Sequence, residues 1–467
     1  MPMTAPLILW FRRDLRLADN PMLAAAAATG RPLIPVFVLD PETEAMGAAP
    51  KWRLGRALEV FGATLQAKGL RLILRRGPAQ EVLEALLAET GAAGVWWGRL
   101  YDGPSVARDT AVKAALRGQG VEARSFAGHL LHEPFAVETG QGGPYRVFTP
   151  YWNAIRGRPV PLPAPVPKAL RGPADWPSSD VLGDWRLGAA MRRGAAVLDA
   201  HIRPGEEAAR DRLHWFLDGP VDRYAEDRNR LDRDACSGLS DWLTWGEIGI
   251  REVWHAAERA AFEGRAGAGA FLRELGWREF AWHLFYHFPQ MDRANWREDW
   301  DAFPWRGDNP DAERWRRALT GEPVVDAALR EMYVTGRMHN RARMIVASYL
   351  TKHLMTHWRV GLDWFADCLT DWDPASNAMG WQWVAGSGPD AAPYFRVFNP
   401  ASQAEKFDPE GRYRRRWLTG KGAEALSYYE AVPKSWALTP ATPTPAPVVD
   451  LAQGRARALA AYAARKA

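Results

Sequence analysis

Along the first part of the chain, apolar residues fall in short unbroken runs separated by longer amphipathic stretches. Leu7–Phe11, Leu33–Leu39, Leu70–Arg75 and Gly94–Gly98 read as strands buried on both faces. Between them, Asn20-Pro21 opens an alanine-rich helix to about Ala28, and Leu54–Lys68 and Glu81–Glu89 carry helical spacing. Strand alternating with helix at this spacing predicts a doubly wound parallel sheet, an α/β domain over residues 1–130. Over residues 131–204 the pattern loosens, and the proline-rich Arg158–Pro177 predicts an extended connector. From 205 to 467 the chain reads as an all-α domain, with helices expected at Glu206–Leu217, Asp241–Glu263, Gly267–Tyr286, Asp311–Leu319, Val324–Tyr333 and Arg341–Thr356. Beyond Pro433 the chain is rich in Pro, Thr and Ala and closes in a basic, alanine-rich helix expected to be peripheral.

Thr370–Pro400 is the densest stretch. Asp371 and Asp373 straddle Trp372, and Asp373-Pro374 reads as a helix start, with Asp as N-cap and Pro at the first helical position. The helix that follows carries Asn377, Trp381 and Trp383 and should end in the Gly-Ser-Gly-Pro loop. Paired carboxylates, a neutral amide and tryptophans so close together suit a flavin-type redox pocket. The plainer alternative is a Trp-rich core helix with two solvated acids.

Composition sharpens this. Twenty-four tryptophans among 467 residues is a high count for any chain. Indole stacks on flat rings, which favours nucleobase or flavin binding, although core packing must account for most of them. The net charge of +5 permits a polyanionic partner. From Met332 to Leu362 there is no acid, only Arg337, Arg341, Arg343, Lys352, Arg359 and three histidines, a run suited to phosphates and equally to a solvated basic face. With only Cys236 and Cys368, neither a disulfide framework nor a Cys-based metal site is expected. No run approaches the roughly 20 apolar residues of a membrane helix. A cytoplasmic monomer without a bound metal is expected.

Three further groupings carry candidate chemistry. Ser240 is placed to cap a helix beginning near Asp241, whose free N–H groups, with Ser237 nearby, would suit a pyrophosphate. Glu274, Trp277, Arg278 and Ala281 recur at helical spacing and so share a face. Asn340, Arg343 and Met344 share another, and Arg343, lacking a local acid, needs a distant partner if buried, for which Asp371 is the candidate. Neither a Gly-x-Gly-x-x-Gly nor a Walker A sequence is present.

WFRRDLRLADNP, QGGPYRVFTPYW, SGLS with WGEI, ELGWREF, GEPVVDAALREMYVTGRMHNRARMIVASYL, and DWDPASNAMGWQWVAGSGPDAAPYFRVFNP with EKFD run over nearly the whole chain. In these the sequence resembles the DNA photolyase/cryptochrome family, most like its bacterial cyclobutane pyrimidine dimer photolyases. The resemblance implies an N-terminal antenna domain, a connector, and a C-terminal helical domain that holds FAD and contacts DNA. Tyr224, Cys236, Ser237, Gly238, Leu239 and Ser240 would form the adenine-and-phosphate side of the FAD site. Arg278, Asn340, Arg343, Asp371, Trp372, Asp373 and Asn377 would complete it, largely on the isoalloxazine side. Trp381, Trp358 and Trp305 match the family's electron-transfer tryptophans. Glu274, Trp277, Met344 and Trp383 match the wall that receives a flipped dimer, with Glu274, Asn377 and Met344 as the residues at the reaction. Arg228, Arg278, Arg341 and Arg396, with Asn340 and Gln403, match its DNA contacts.

The departures lie at four places. Gly238 replaces a phosphate-side arginine, and Arg337 replaces a tryptophan, which is expected to alter DNA contact. Asp241-Trp242 replaces the commoner proline with an aromatic or His. Asp102-Gly103-Pro104-Ser105 lacks the glutamate of a folate-binding antenna site, leaving folate, a deazaflavin, a flavin or none as the second chromophore. The implied activity is light-driven dimer repair in UV-damaged DNA. A cryptochrome photoreceptor, a (6-4) photolyase and a light-independent DNA-binding flavoprotein are the alternatives.

Overall fold

The computed structural model describes residues 5–390, 395–419 and 422–466. Its sheet has five parallel strands in the order β3-β2-β1-β4-β5: β1 (Leu7–Phe11), β2 (Leu33–Leu39), β3 (Ile73–Arg76), β4 (Gly94–Gly98) and β5 (Glu122–Phe126). Leu7 pairs with Leu33 on one side and with Gly94 on the other, so β1 is central, and every residue of β1 and β2 is buried. Helices cover both faces, as continuous apolar strands require. β3 begins three residues later than its pattern suggests, because Gly69 (φ +77°) turns the chain and Leu70 N–H closes onto Leu65 O. β5 (EARSF) and the helix before it, Gly103–Gly118, have no counterpart among the expected elements. An edge strand with one apolar face lacks the unbroken run that marks its neighbours.

The proline-rich Arg158–Pro177 is extended, without helix or strand, as expected, and order in the connector lies on either side of it. The connector contains the helix Phe148–Ile155, whose Phe148, Tyr151 and Ile155 join the main helical core, and Trp185, which packs beside Phe37 against the sheet domain.

Beyond it the domain is helical, as the spacing predicts, with one break. The single helix expected over Asp241–Glu263 is two, Ser240–Trp245 and Ile250–Phe262. Gly246 separates them at φ +66°, and a Cβ there would meet the Arg13 carbonyl at 2.0 Å. That glycine lets the loop after β1 pass against the helical domain.

The two domains are joined by buried charge. Arg53, on the Ala48–Gln66 helix of the sheet domain, is fully buried; it donates to Asp241 at 2.9 Å and pairs with Glu247. Arg337 donates to the same Asp241 oxygen at 3.0 Å. Glu206 accepts the N–H groups of Leu17 and Ala18, both at 2.9 Å, and Asp367 accepts that of Ala48. Removing one member of a buried pair costs about 3–5 kcal/mol because the other charge is stranded. Arg53→Met leaves Asp241 with Arg337 and Glu247 with only the Gly205 N–H, and should lower stability by about that range. Urea unfolding followed by tryptophan fluorescence checks this, and a midpoint equal to the parent's would contradict it.

Candidate functional site

Asp371 is the centre of the site. Its buried carboxylate accepts Arg343 Nη2 at 2.9 and 2.7 Å and Ser240 Oγ at 2.6 Å. Arg343 stands on the Asn340–Ser348 helix and is steadied by its Nε–H donating to Met338 O at 2.9 Å. The distant partner expected for Arg343 is therefore the one found. Asp373 faces the other way: it caps the Pro374–Ala385 helix by accepting Ser376 N–H at 2.7 Å and accepts Trp282 Nε1–H at 3.0 Å.

Ser240 is not the N-cap. Leu239 holds that place without a side-chain bond, and Ser240 is the first helical residue, its hydroxyl committed to Asp371. Gly238 takes the left-handed conformation (φ +66°), and the N–H groups of Gly238, Leu239, Ser240 and Asp241 find no acceptor among the described residues. Arg212 Nε would lie 3.2 Å from a Cβ at Gly238, while Arg212 donates to the carbonyls of Cys236 and Ser237, both at 2.7 Å. Arg212 also pairs with Asp234 at 2.7 Å, so its guanidinium braces the turn. A left-handed turn with unpaired donors beside an arginine suits a pyrophosphate.

His339 caps the Asn340–Ser348 helix through Nδ1, which fixes its hydrogen on Nε2, 3.6 Å from Cys236 Sγ. Burial and the nearby Arg341 and Arg343 push the His339 pKa down to about 4, and burial pushes the Cys236 thiol up to about 11. Both are neutral at pH 7, so the pair is no nucleophilic dyad. Tyr224 packs its ring against Phe216 and Phe271.

Glu274 pairs with Arg228 at 2.8 Å, and Trp277 stacks on Phe148 with ring centres 3.6 Å apart. Arg278 does not join them: its guanidinium turns to the domain junction, donating to His129 O at 3.1 Å and Glu279 at 3.2 Å. Met344 is half-buried and Asn340 exposed. Trp383 donates to Asp390 O at 3.2 Å. Arg341 bonds Asn229 at 2.8 Å and lies over Phe407. Burial, with Arg228 and Arg396 close by, presses Arg341 below the usual guanidinium pKa, the mark of a crowded cationic rim. Gln403 is half-buried, its Oε1 without a hydrogen-bond partner among the described residues.

Asn377 Nδ2 donates to Leu362 O at 3.1 Å, fixing the amide between two helices. Trp381 is buried against the Trp358–Cys368 helix at Gly361, where a Cβ would meet the indole at 2.0 Å. Trp358 is fully buried and donates to Asn295 at 2.8 Å. His357 lies between it and half-exposed Trp305, with ring centres at 5.3 and 4.9 Å.

Arg13, Arg212, Trp282, Phe148 and His357 are the residues that sequence reasoning missed. Arg13 is half-buried over Trp372 at 5.7 Å, reaching in from the loop after β1. Its only signal was the conspicuous Arg-Arg after an apolar strand. Arg337 likewise points into the domain junction, over Trp242 and onto Asp241. Two departures from the family pattern, Asp241 and Arg337, compensate each other.

The unpaired donors, the left-handed turn and the Arg343–Asp371 pair fit the phosphates and ring system of FAD. The crevice at the carboxyl ends of β1, β4 and β5, lined by Arg13, Arg99 and His129, encloses about 10 Å³, room for a water. No group of three His, Cys, Asp or Glu among the described residues could hold a metal ion, and no described helix is long and apolar enough to cross a membrane.

Residues 7–168 match the family model described as DNA photolyase, and residues 271–464 match that described as the FAD binding domain of DNA photolyase. The deoxyribodipyrimidine photo-lyase of Agrobacterium fabrum is 45% identical, over 99% of this chain and 98% of its own length. Cryptochrome-2 of Arabidopsis thaliana is 36% identical over 90% of this chain and 71% of its own. The crystal structure of a bacterial class III photolyase from Agrobacterium tumefaciens superposes with a TM-score of 0.91 at 44% identity, covering 99% of this chain and 98% of that one. The chain belongs to the DNA photolyase family.

Asp371→Ala should strand Arg343, which keeps about a quarter of its side chain in solvent. The cost should fall toward the lower end of the about 3–5 kcal/mol typical of a broken buried pair. The protein should purify with little or no FAD, as read by its absorption. Full flavin occupancy with parental stability would contradict the pairing.

Proposed function

We propose that this protein repairs cyclobutane pyrimidine dimers in DNA under light. The observation that carries the reading is the junction at Asp371, where a phosphate-ready turn and the Arg343 helix meet beneath a rim of Arg228, Arg341 and Arg396. A pocket for an anionic cofactor and a surface for an anionic polymer adjoin each other.

The three arginines hold strand phosphates, which position DNA without reading its sequence. A dimer pairs and stacks poorly, so its extrusion from the helix costs less than the few kcal/mol of a normal base. Trp277, held flat by Phe148, and Trp383 wall the space for the extruded rings. Glu274, oriented by Arg228, offers a hydrogen-bond acceptor to the base edge. Met344 supplies an apolar contact where a (6-4) photolyase would carry a histidine. Asn377, its amide tied to Leu362 O, adds no negative charge, so the site bears only the acids already paired or capping. Trp305, Trp358 and Trp381 run from a half-exposed ring to fully buried ones, a line suited to carrying electrons inward. When bound, reduced FAD supplies the photoexcited electron that opens the cyclobutane ring and receives it back. A second, light-harvesting chromophore is not required by this reading.

DNA carrying a dimer should bind more tightly than the same undamaged duplex, and log affinity should fall linearly with log salt. Each phosphate contact contributes about 0.9 to that slope, so Arg341→Ala should flatten it by about one contact. Fluorescence anisotropy across a salt series checks both. Equal affinity for damaged and undamaged duplex, or an unchanged slope in the variant, would contradict the reading.

A further inference from the structure

A second cationic cavity lies between the loop after Trp383 and the C-terminal helix Leu451–Lys466. We propose that it is an anion site, built around Lys352, that takes a phosphate group; the proposal does not depend on the repair reading. Lys352 sits in a widened turn, Tyr349–His353, where Leu354 N–H reaches back five residues to Tyr349 O. Such π-turns recur at functional sites.

Lys352 is only 4% exposed, and no carboxylate among the described residues lies within ion-pairing distance of it. Its amine donates to Arg396 O and lies 4.5 Å from the Phe395 ring centre. Lysines are almost never buried to this degree unless paired. Arg297 and Arg396 also line the cavity, and no Asp or Glu among the described residues does. Phe395 and Tyr462, stacked with ring centres 4.7 Å apart, line it together with Trp383. Lys352 thus shares with two arginines the lining of about 30 Å³, room for roughly two waters or for the leading oxygens of an oxyanion.

Burial and the neighbouring Arg396 push the Lys352 pKa down to about 7. The plainer account is a core lysine that simply gives up its proton. Against it, the amine has three donors when charged, and one carbonyl and one ring face leave donors for an oxygen-rich ligand.

Sulfate, which stays dianionic at neutral pH, is the probe, titrated by calorimetry into the full-length FAD-loaded protein at low ionic strength. Saturable binding of one sulfate is expected, weakened at least tenfold in Lys352→Met and about threefold in Arg297→Gln. Circular dichroism melts on each variant verify folding, and Arg297→Gln keeps the test informative if Lys352→Met does not fold. Adding undamaged duplex separates two sources of phosphate. Displacement of sulfate means that the site takes a backbone phosphodiester, and unchanged sulfate affinity means that it takes a free anion. Absence of saturable sulfate binding in the parent, or parental affinity in Lys352→Met, would overturn the proposal. Dimer binding measured on the same preparation keeps its failure distinct from that of the repair reading.

Discussion

The site depends on one carboxylate, Asp371, being removed from water and still fully paired. Its oxygens gather a hydroxyl from the Ser240–Trp245 helix and a guanidinium from the Asn340–Ser348 helix. Its own carbonyl accepts Thr244 Oγ1 at 3.1 Å, and the preceding carbonyl accepts Trp245 Nε1 at 3.3 Å. A buried charge with only some of these donors would be costly, so the three segments keep their positions together. Asp373, two residues on, faces the opposite side of the turn and serves Trp282 and the next helix. Two acids at this spacing thus do separate work: one joins the phosphate-side turn to the arginine, the other starts the helix that carries Asn377 and the tryptophans.

The same junction reaches the other domain. Asp241 follows Ser240 directly, so the Arg53–Asp241–Arg337 cluster and the Ser240–Asp371–Arg343 cluster share one turn of backbone. Arg13 enters from the sheet domain and lies over Trp372, between the two acids. The orientation of the sheet domain is therefore mechanically tied to the geometry of the cofactor site, through fully buried ion pairs rather than through a flexible linker.

Much of this was legible in the sequence where the signal is local. β1, β2 and β4 appear as apolar runs with the boundaries that the structure has, and Asp373-Pro374 marks its helix start correctly. The Arg343–Asp371 pair could be anticipated because an arginine in an acid-free stretch must look elsewhere for its partner. What stayed hidden depends on contacts between distant segments. The break at Gly246 exists because the Arg13 carbonyl passes there. Ser240 abandons capping because Asp371 competes for its hydroxyl. Arg278, on the expected helix face, swings to His129 because a long side chain is directed by its nearest acceptor, not by helical phase alone. Arg337 finds its partner in Asp241, 96 residues away, which no local pattern announces.

The account's central claim is that a cationic rim and a flavin site adjoin so that light can repair a lesion held between them. The direct measurement is ring opening in a dimer-containing oligonucleotide, followed by chromatography, with the FAD-reduced protein under blue light and in darkness. Catalytic loss of dimers under light with none in the dark is the predicted result. Tight dimer binding with FAD present but no light-dependent loss would contradict it.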